Sequence, residues 1–165
     1  MFGFKKKSAY SKKESYKYIA NNLICASEEE NKNTFAFVSS SCNLNEIVIN
    51  IGEEAGKKVK TLVVNVCFDD RIKNFSDSKD VKVINTNGLA KEFKDDLLKY
   101  ESEFDLILVS LNSILTKAEA LEYAKVCKEI IIAEKCTECY YSDYENMLAG
   151  FKTAGINPRG VITVC

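Results

Sequence analysis

Histidine is absent from all 165 residues, and tryptophan is absent too. Without imidazole the chain has no Ser-His or Cys-His nucleophile pair and no histidine metal ligand, and it loses the commonest general base. Glycine is scarce at seven residues, none of them between Gly3 and Gly52, and Pro158 is the single proline. No apolar run approaches the roughly 18 residues that a membrane-crossing helix requires. The amino end, Met1-Phe2-Gly3-Phe4-Lys5-Lys6-Lys7, lacks the apolar centre of a signal peptide, so the expectation is a cytoplasmic protein. A net charge of −1 gives the whole molecule no field that favours nucleic acid.

What is present is ordinary globular composition, 46% apolar and 28% charged, in a chain long enough for one α/β domain with a real core. Charge is unevenly placed. Residues 1–20 hold six lysines against Glu14 alone, a net +5 that leaves −6 on the rest. Residues 1–10 therefore read as a basic leader, suited to an acidic partner or to peripheral contact with an anionic membrane face. Residues 11–165 read as the domain.

From Ser11 the pattern is helical, with Tyr16, Ile19, Leu23 and Ala26 on one stripe, and Glu28 to Asn33 form a polar break. Buried strands are expected at Thr34–Val38 and Val59–Val66, and further strands at Val81–Ile84, Phe104–Val109, Glu129–Ala133 and Arg159–Val164. Helices are expected at Asn43–Glu54 (stopped by Gly56), Leu89–Glu101, Thr116–Cys127 and Thr137–Thr153. Strands apolar on both faces, alternating with helices, give a doubly wound, mostly parallel α/β sheet of about six strands behind a leading helix.

In order, these segments resemble the bacterial tyrosine kinases of capsular and exopolysaccharide synthesis, within the MinD/ParA-like branch of the P-loop ATPases. Glu14-Ser15-Tyr16-Lys17 through Asn21-Asn22-Leu23 is similar to the family's leading helix. Thr34-Phe35-Ala36-Phe37-Val38-Ser39-Ser40 is similar to the strand before its phosphate loop, and Phe104 to Val109 to its Walker B strand. Ala55-Gly56-Lys57-Lys58-Val59 and the turn Ala154-Gly155-Ile156-Asn157 with Gly160-Val161-Ile162 resemble two further family segments.

The groups that serve phosphoryl transfer in that family are missing at the matching positions. A phosphate loop needs glycine backbone, a lysine and a Mg²⁺-holding hydroxyl, but here Ser39, Ser40, Ser41, Cys42, Asn43, Leu44 and Asn45 precede an acidic Glu46. Asn65 and Cys67 stand where the resemblance places paired aspartates, with Asp69 and Asp70 displaced beyond them, and Ser110 stands at the Walker B aspartate. The degenerate nucleotide site is thus Ser39, Ser40, Ser41, Cys42, Asn43, Asn45, Asn65, Cys67 and Ser110. The resemblance with these losses implies a pseudoenzyme with no ATP or Mg²⁺ cofactor, because the electrostatic stabilisation of transfer has no source. In the family the leading helix carries a Glu-x-x-Arg-x-x-Arg motif for self-association beside a membrane co-polymerase. Its matching positions are Glu14, Lys17 and Ala20, an interaction helix for a co-polymerase tail, an active tyrosine kinase or a second copy.

Two other readings stay open. Seven cysteines, expected to be reduced in a cytosolic chain, include five at or beyond predicted strand ends: Cys42, Cys67, Cys136, Cys139 and Cys165. Cys42, Cys67, Cys136 and Cys139 are a speculative Zn²⁺ or iron–sulfur ligand set, and Cys136-Thr137-Glu138-Cys139 is a C-x-x-C at a helix start for thiol redox. Alternatively, Ser39, Ser40 and Ser41 with Lys57 form an unusual phosphate site. Tyr140, Tyr141 and Tyr144 are either half-buried packing or phosphoacceptors.

Overall fold

The computed structural model describes residues 11–40, 43–67, 76–113 and 118–164. The basic leader, Ser41, Cys42, Asp69, Asp70, Thr116 and Cys165 lie outside the described residues.

Helix α1 (Lys12–Glu30) starts in a capping box. Ser11 Oγ accepts the Glu14 N–H at 3.3 Å, while the Glu14 carboxylate accepts the Ser11 N–H at 2.8 Å. The helix does not break at Glu28 but runs through Glu30 and ends at Asn31, whose φ of 53° is the left-handed stop. Glu30 is held there by Arg159, at 2.5 and 2.8 Å from its two guanidinium nitrogens, so three successive glutamates remain helical.

Strands β1 (Thr34–Ser39), β2 (Thr61–Val66), β3 (Val81–Thr86), β4 (Leu106–Ser113), β5 (Ile130–Lys135) and β6 (Gly160–Val164) form one sheet in the order β3-β2-β4-β1-β5-β6. Every pairing is parallel. Helices α2 (Asn45–Gly56), α3 (Ala90–Glu103), α4 (Ala118–Cys127) and α5 (Tyr141–Ala154) supply the crossovers between β1 and β2, β3 and β4, β4 and β5, and β5 and β6. Two apolar clusters cover the two faces. Ala20, Leu23 and Ala26 of α1 with Ile47, Val48, Ile51 and Ala55 of α2 pack on Phe35, Phe37, Val63, Leu106 and Leu108. On the other face Phe93, Leu97, Tyr123, Met147 and Phe151 pack on Ala36, Val38, Val64, Ile107 and Val109. The alternation along β1 explains why its six residues are all buried.

Three local expectations are corrected. Gly56 is the last residue of α2 rather than a left-handed stop, and a Cβ there would sit 2.0 Å from the Asp80 carbonyl oxygen. Close backbone approach, not backbone freedom, requires glycine at that position. Second, α5 starts at Tyr141, not Thr137, because β5 runs on to Lys135, whose carbonyl then accepts from both Glu138 and Cys139 N–H in a tight turn. The C-x-x-C therefore lies in that turn and opens no helix. Third, β6 starts at Gly160, leaving Arg159 free to reach Glu30 and Glu129 at the amino-terminal edge.

Candidate functional site

In an open parallel sheet, ligands sit beyond the carboxyl ends of the strands, where adjacent connections diverge. Here β1 leads into α2 on one face and β5 into α5 on the other, so the divergence lies between β1 and β5. The group that fills this place is Glu134, 4% exposed on β5 and the only buried ionisable acid or base with a carboxylate or amine among the described residues. Its carboxylate accepts the Ser39 hydroxyl at 2.9 Å and the Ser40 backbone N–H at 2.5 Å. A loop that wraps phosphate must aim backbone N–H groups at the anion. The first amide after β1, that of Ser40, is instead turned onto an internal carboxylate.

One strand over, Ser110 Oγ donates to Asn45 Oδ1 at 2.8 Å, both residues being buried. This joins β4 directly to the first residue of α2. Asn43 Oδ1 accepts the Asn45 backbone N–H at 2.9 Å and so occupies a donor at the start of that helix. Asn45 Nδ2 is buried without a partner among the described residues. The Ser110 hydroxyl and the Asn45 amide, both neutral, are bonded to each other here, and neither supplies the carboxylate that commonly holds a divalent cation. Farther out, Asn65 Nδ2 donates to Asn85 Oδ1 at 3.0 Å and to Cys67 Sγ at 3.3 Å, which ties β2 to β3. Burial pushes the Cys67 thiol above its ordinary pKa, the direction opposite to that of an activated thiolate.

The structure thus brings Ser39, Ser40, Asn45, Asn65, Cys67 and Ser110 to one sheet edge, as the sequence indicates, and adds Glu134, which sequence reasoning missed. Its signal was an acid closing the apolar run Ile130-Ile131-Ile132-Ala133 on a strand with no solvent face. Other assignments do not hold. Lys57 lies at the far end of α2, a helix of 12 residues and hence about 18 Å long, where its Nζ pairs with Glu54 at 2.5 Å. It does not share a site with the serines. Ala20 is 1% exposed beneath α1, so it packs against the sheet and offers nothing to a partner. Glu14 is engaged in its capping box.

The cysteine readings change as well. Cys136 is disulfide-bonded, so it is neither reduced nor available as a thiolate ligand, and its partner lies outside the described residues. Cys25, Cys67, Cys127 and Cys139 are free. No three His, Cys, Asp or Glu side chains converge among the described residues. Cys139 Sγ lies 3.6 Å from Ser40 Oγ, beside the Glu134 cluster. Tyr140 and Tyr141 are 72% and 76% exposed rather than half-buried, whereas Tyr144 packs against the core.

At the opposite edge, a cleft of about 710 Å³ is lined by Glu28, Glu101, Glu103 and Asp105 among others. It is remote from the strand ends just described. No described helix is long and apolar enough to cross a membrane.

No family model matches the sequence, and no curated protein matches it. Solved structures do. The BceF tyrosine kinase domain aligns with a TM-score of 0.76 at 10% identity, covering 92% of this chain and 76% of that one. The VpsO kinase domain aligns with a TM-score of 0.68 at 11% identity, covering 94% of this chain and 98% of that one. The kinase domain of the Escherichia coli tyrosine kinase ETK gives 0.67 at 13% identity, covering 92% and 74%. At such identities the likeness is one of architecture, a six-stranded parallel sheet with helices on both faces. This chain has the α/β, P-loop-NTPase-like fold found in bacterial tyrosine kinase domains.

Proposed function

We propose that this chain is a catalytically inactive counterpart of those kinase domains, acting through its surfaces as a regulatory or scaffolding subunit in capsular or exopolysaccharide synthesis or export. The observation that carries the reading is the Glu134 carboxylate bonded to Ser39 and Ser40 at the head of the loop. Phosphoryl transfer runs on donors and cations aimed at phosphate oxygens. An internal carboxylate repels those oxygens and occupies an amide they would use. The Ser110–Asn45 hydrogen bond supports the same conclusion at the metal position.

On this reading the partner is the cytoplasmic tail of a membrane co-polymerase or an active tyrosine kinase. The protein works in the cytoplasm at the inner membrane face, assisted by the lysines of residues 5–17. Calorimetric titration of the protein with ATP and Mg²⁺ into the millimolar range tests it. The expected result is no saturable heat, no hydrolysis and no labelling of the protein's own tyrosines, together with saturable binding to one of the two named partners. Saturable nucleotide binding that is lost in Ser39→Ala or Ser40→Ala overturns the reading of the loop.

A further inference from the structure

The two edges of the sheet are finished differently. At the β3 edge, the Asp77 carboxylate accepts the Val83 N–H at 2.6 Å, Ser78 N–H donates to the Val81 carbonyl at 3.0 Å, and exposed Lys82 adds a charge. These are the devices by which natural sheets prevent edge pairing. The β6 edge has none of them among the described residues. Gly160-Val161-Ile162-Thr163-Val164 contains no charge and no proline, and its register with β5 is unbroken. Arg159, the nearest charge, is committed to Glu30 and Glu129. Val161 is 53% exposed, and Thr163 is exposed as well.

The backbone fixes what can pair there. The Val164 carbonyl turns inward to accept the Cys136 N–H at 3.0 Å. Alternation along the strand therefore turns the main-chain N–H and C=O of Val161 and Thr163 outward. Two outward-facing residues on either side of Ile162 are self-complementary in the antiparallel sense. We infer that β6 pairs with β6 of a second copy about a two-fold axis through Ile162, with Val161 opposite Thr163 of the other protomer and Thr163 opposite its Val161. Each of these is a hydrogen-bonded pair that exchanges both main-chain bonds, and the two parallel sheets join into one. A strand without charge meets its own copy without like-charge repulsion. The isologous geometry also closes at two subunits, so the open edge does not propagate into a fibre.

Five paired residues make a small interface, so the dimer forms at high concentration and dissociates on dilution. Sedimentation of the 165-residue protein between about 1 µM and 1 mM reads this directly, in the range where small interfaces associate. Hydrogen exchange of the Val161 and Thr163 amides is measured across the same series. The expected result is a monomer–dimer equilibrium in which those two amides slow as the dimer fills. Thr163→Pro removes an outward N–H that the monomer does not use, and Val161→Lys places a charge on the edge. Each raises the dimer dissociation constant by about tenfold or more, while the monomer keeps its far-ultraviolet spectrum and melting temperature. Lys82→Thr at the other edge leaves the equilibrium unchanged. A monomer throughout the range overturns the inference. So does a dimer that survives both β6 variants, or one that forms with Val161 and Thr163 exchanging as fast as in the monomer.

Discussion

Replacing Glu134 with alanine removes the acceptor for two donors in the interior of the sheet edge, the Ser39 hydroxyl and the Ser40 N–H. A buried donor deprived of its acceptor costs about 1–3 kcal/mol. The hydroxyl of Ser39 can rotate toward another acceptor and sits at the low end of that range. The amide of Ser40 is fixed by the backbone and sits higher, so Glu134→Ala is expected to cost about 3 kcal/mol in all. For a chain of this size that lowers the melting temperature by about 6–12 °C. Glu134→Gln keeps one carbonyl oxygen to accept the Ser40 N–H and turns an NH2 toward Ser39, whose hydroxyl can rotate to accept from it, so the loss is smaller, about 1–2 kcal/mol. Urea unfolding of the two variants and the wild type, with an unchanged denaturant slope, separates these values. An alanine variant within about 0.5 kcal/mol of the wild type, the usual surface range, refutes the assigned hydrogen bonds. A glutamine variant more stable than the wild type refutes it differently, since the desolvation of the carboxylate would then outweigh the bonds it makes.

Three further substitutions have defined outcomes. Gly56→Ala places a methyl group 2.0 Å from the Asp80 carbonyl oxygen, a backbone atom that cannot rotate away; a loss of about 1–3 kcal/mol is expected in chemical denaturation, toward the upper end. Ser110→Ala leaves Asn45 Oδ1 buried without its donor and costs about 1–2 kcal/mol, and Ser110→Asp, measured by calorimetry with ATP and Mg²⁺, is expected to destabilise the fold without creating nucleotide binding. Arg159→Ala changes the acid limb of stability. The Arg159 hydrogen bonds hold Glu30 below the ordinary carboxyl value of 4.5, and Lys32 first, then Arg159, does the same for Glu129. Both carboxyls are depressed in the folded state, so their contribution is complete above pH 4.5 and is lost as pH falls through the lower folded values. The variant is therefore less stable at neutral pH and loses less on acidification, a difference that urea midpoints between pH 7 and pH 3 resolve.

The inner strands β1, β2 and β5 were legible because their apolar runs are buried on both faces. Helix existence was legible from periodicity, since Phe93 with Leu97 and Ile47 with Ile51 recur at helical spacing. Helix ends were less so. The end of α1 depends on Arg159, more than a hundred residues away, and the start of α5 depends on how far β5 extends. No local pattern carries either fact.

That residues 39–46 carry neither glycine nor lysine was readable from residue types alone. The group that Ser39 and Ser40 bond to was not. Glu134 lies 94 residues from Ser40, and only the adjacency of β1 and β5 makes its carboxylate the acceptor at the head of the loop. The same holds for Lys57, which the length of α2 separates from the serines. Composition and periodicity determined the kind of sheet and the groups it lacks, since those follow from side-chain chemistry and local geometry. Strand order decided which distant polar groups meet in the interior and which strands stand last in the sheet among the described residues, because burial and hydrogen bonding are settled by neighbours in space.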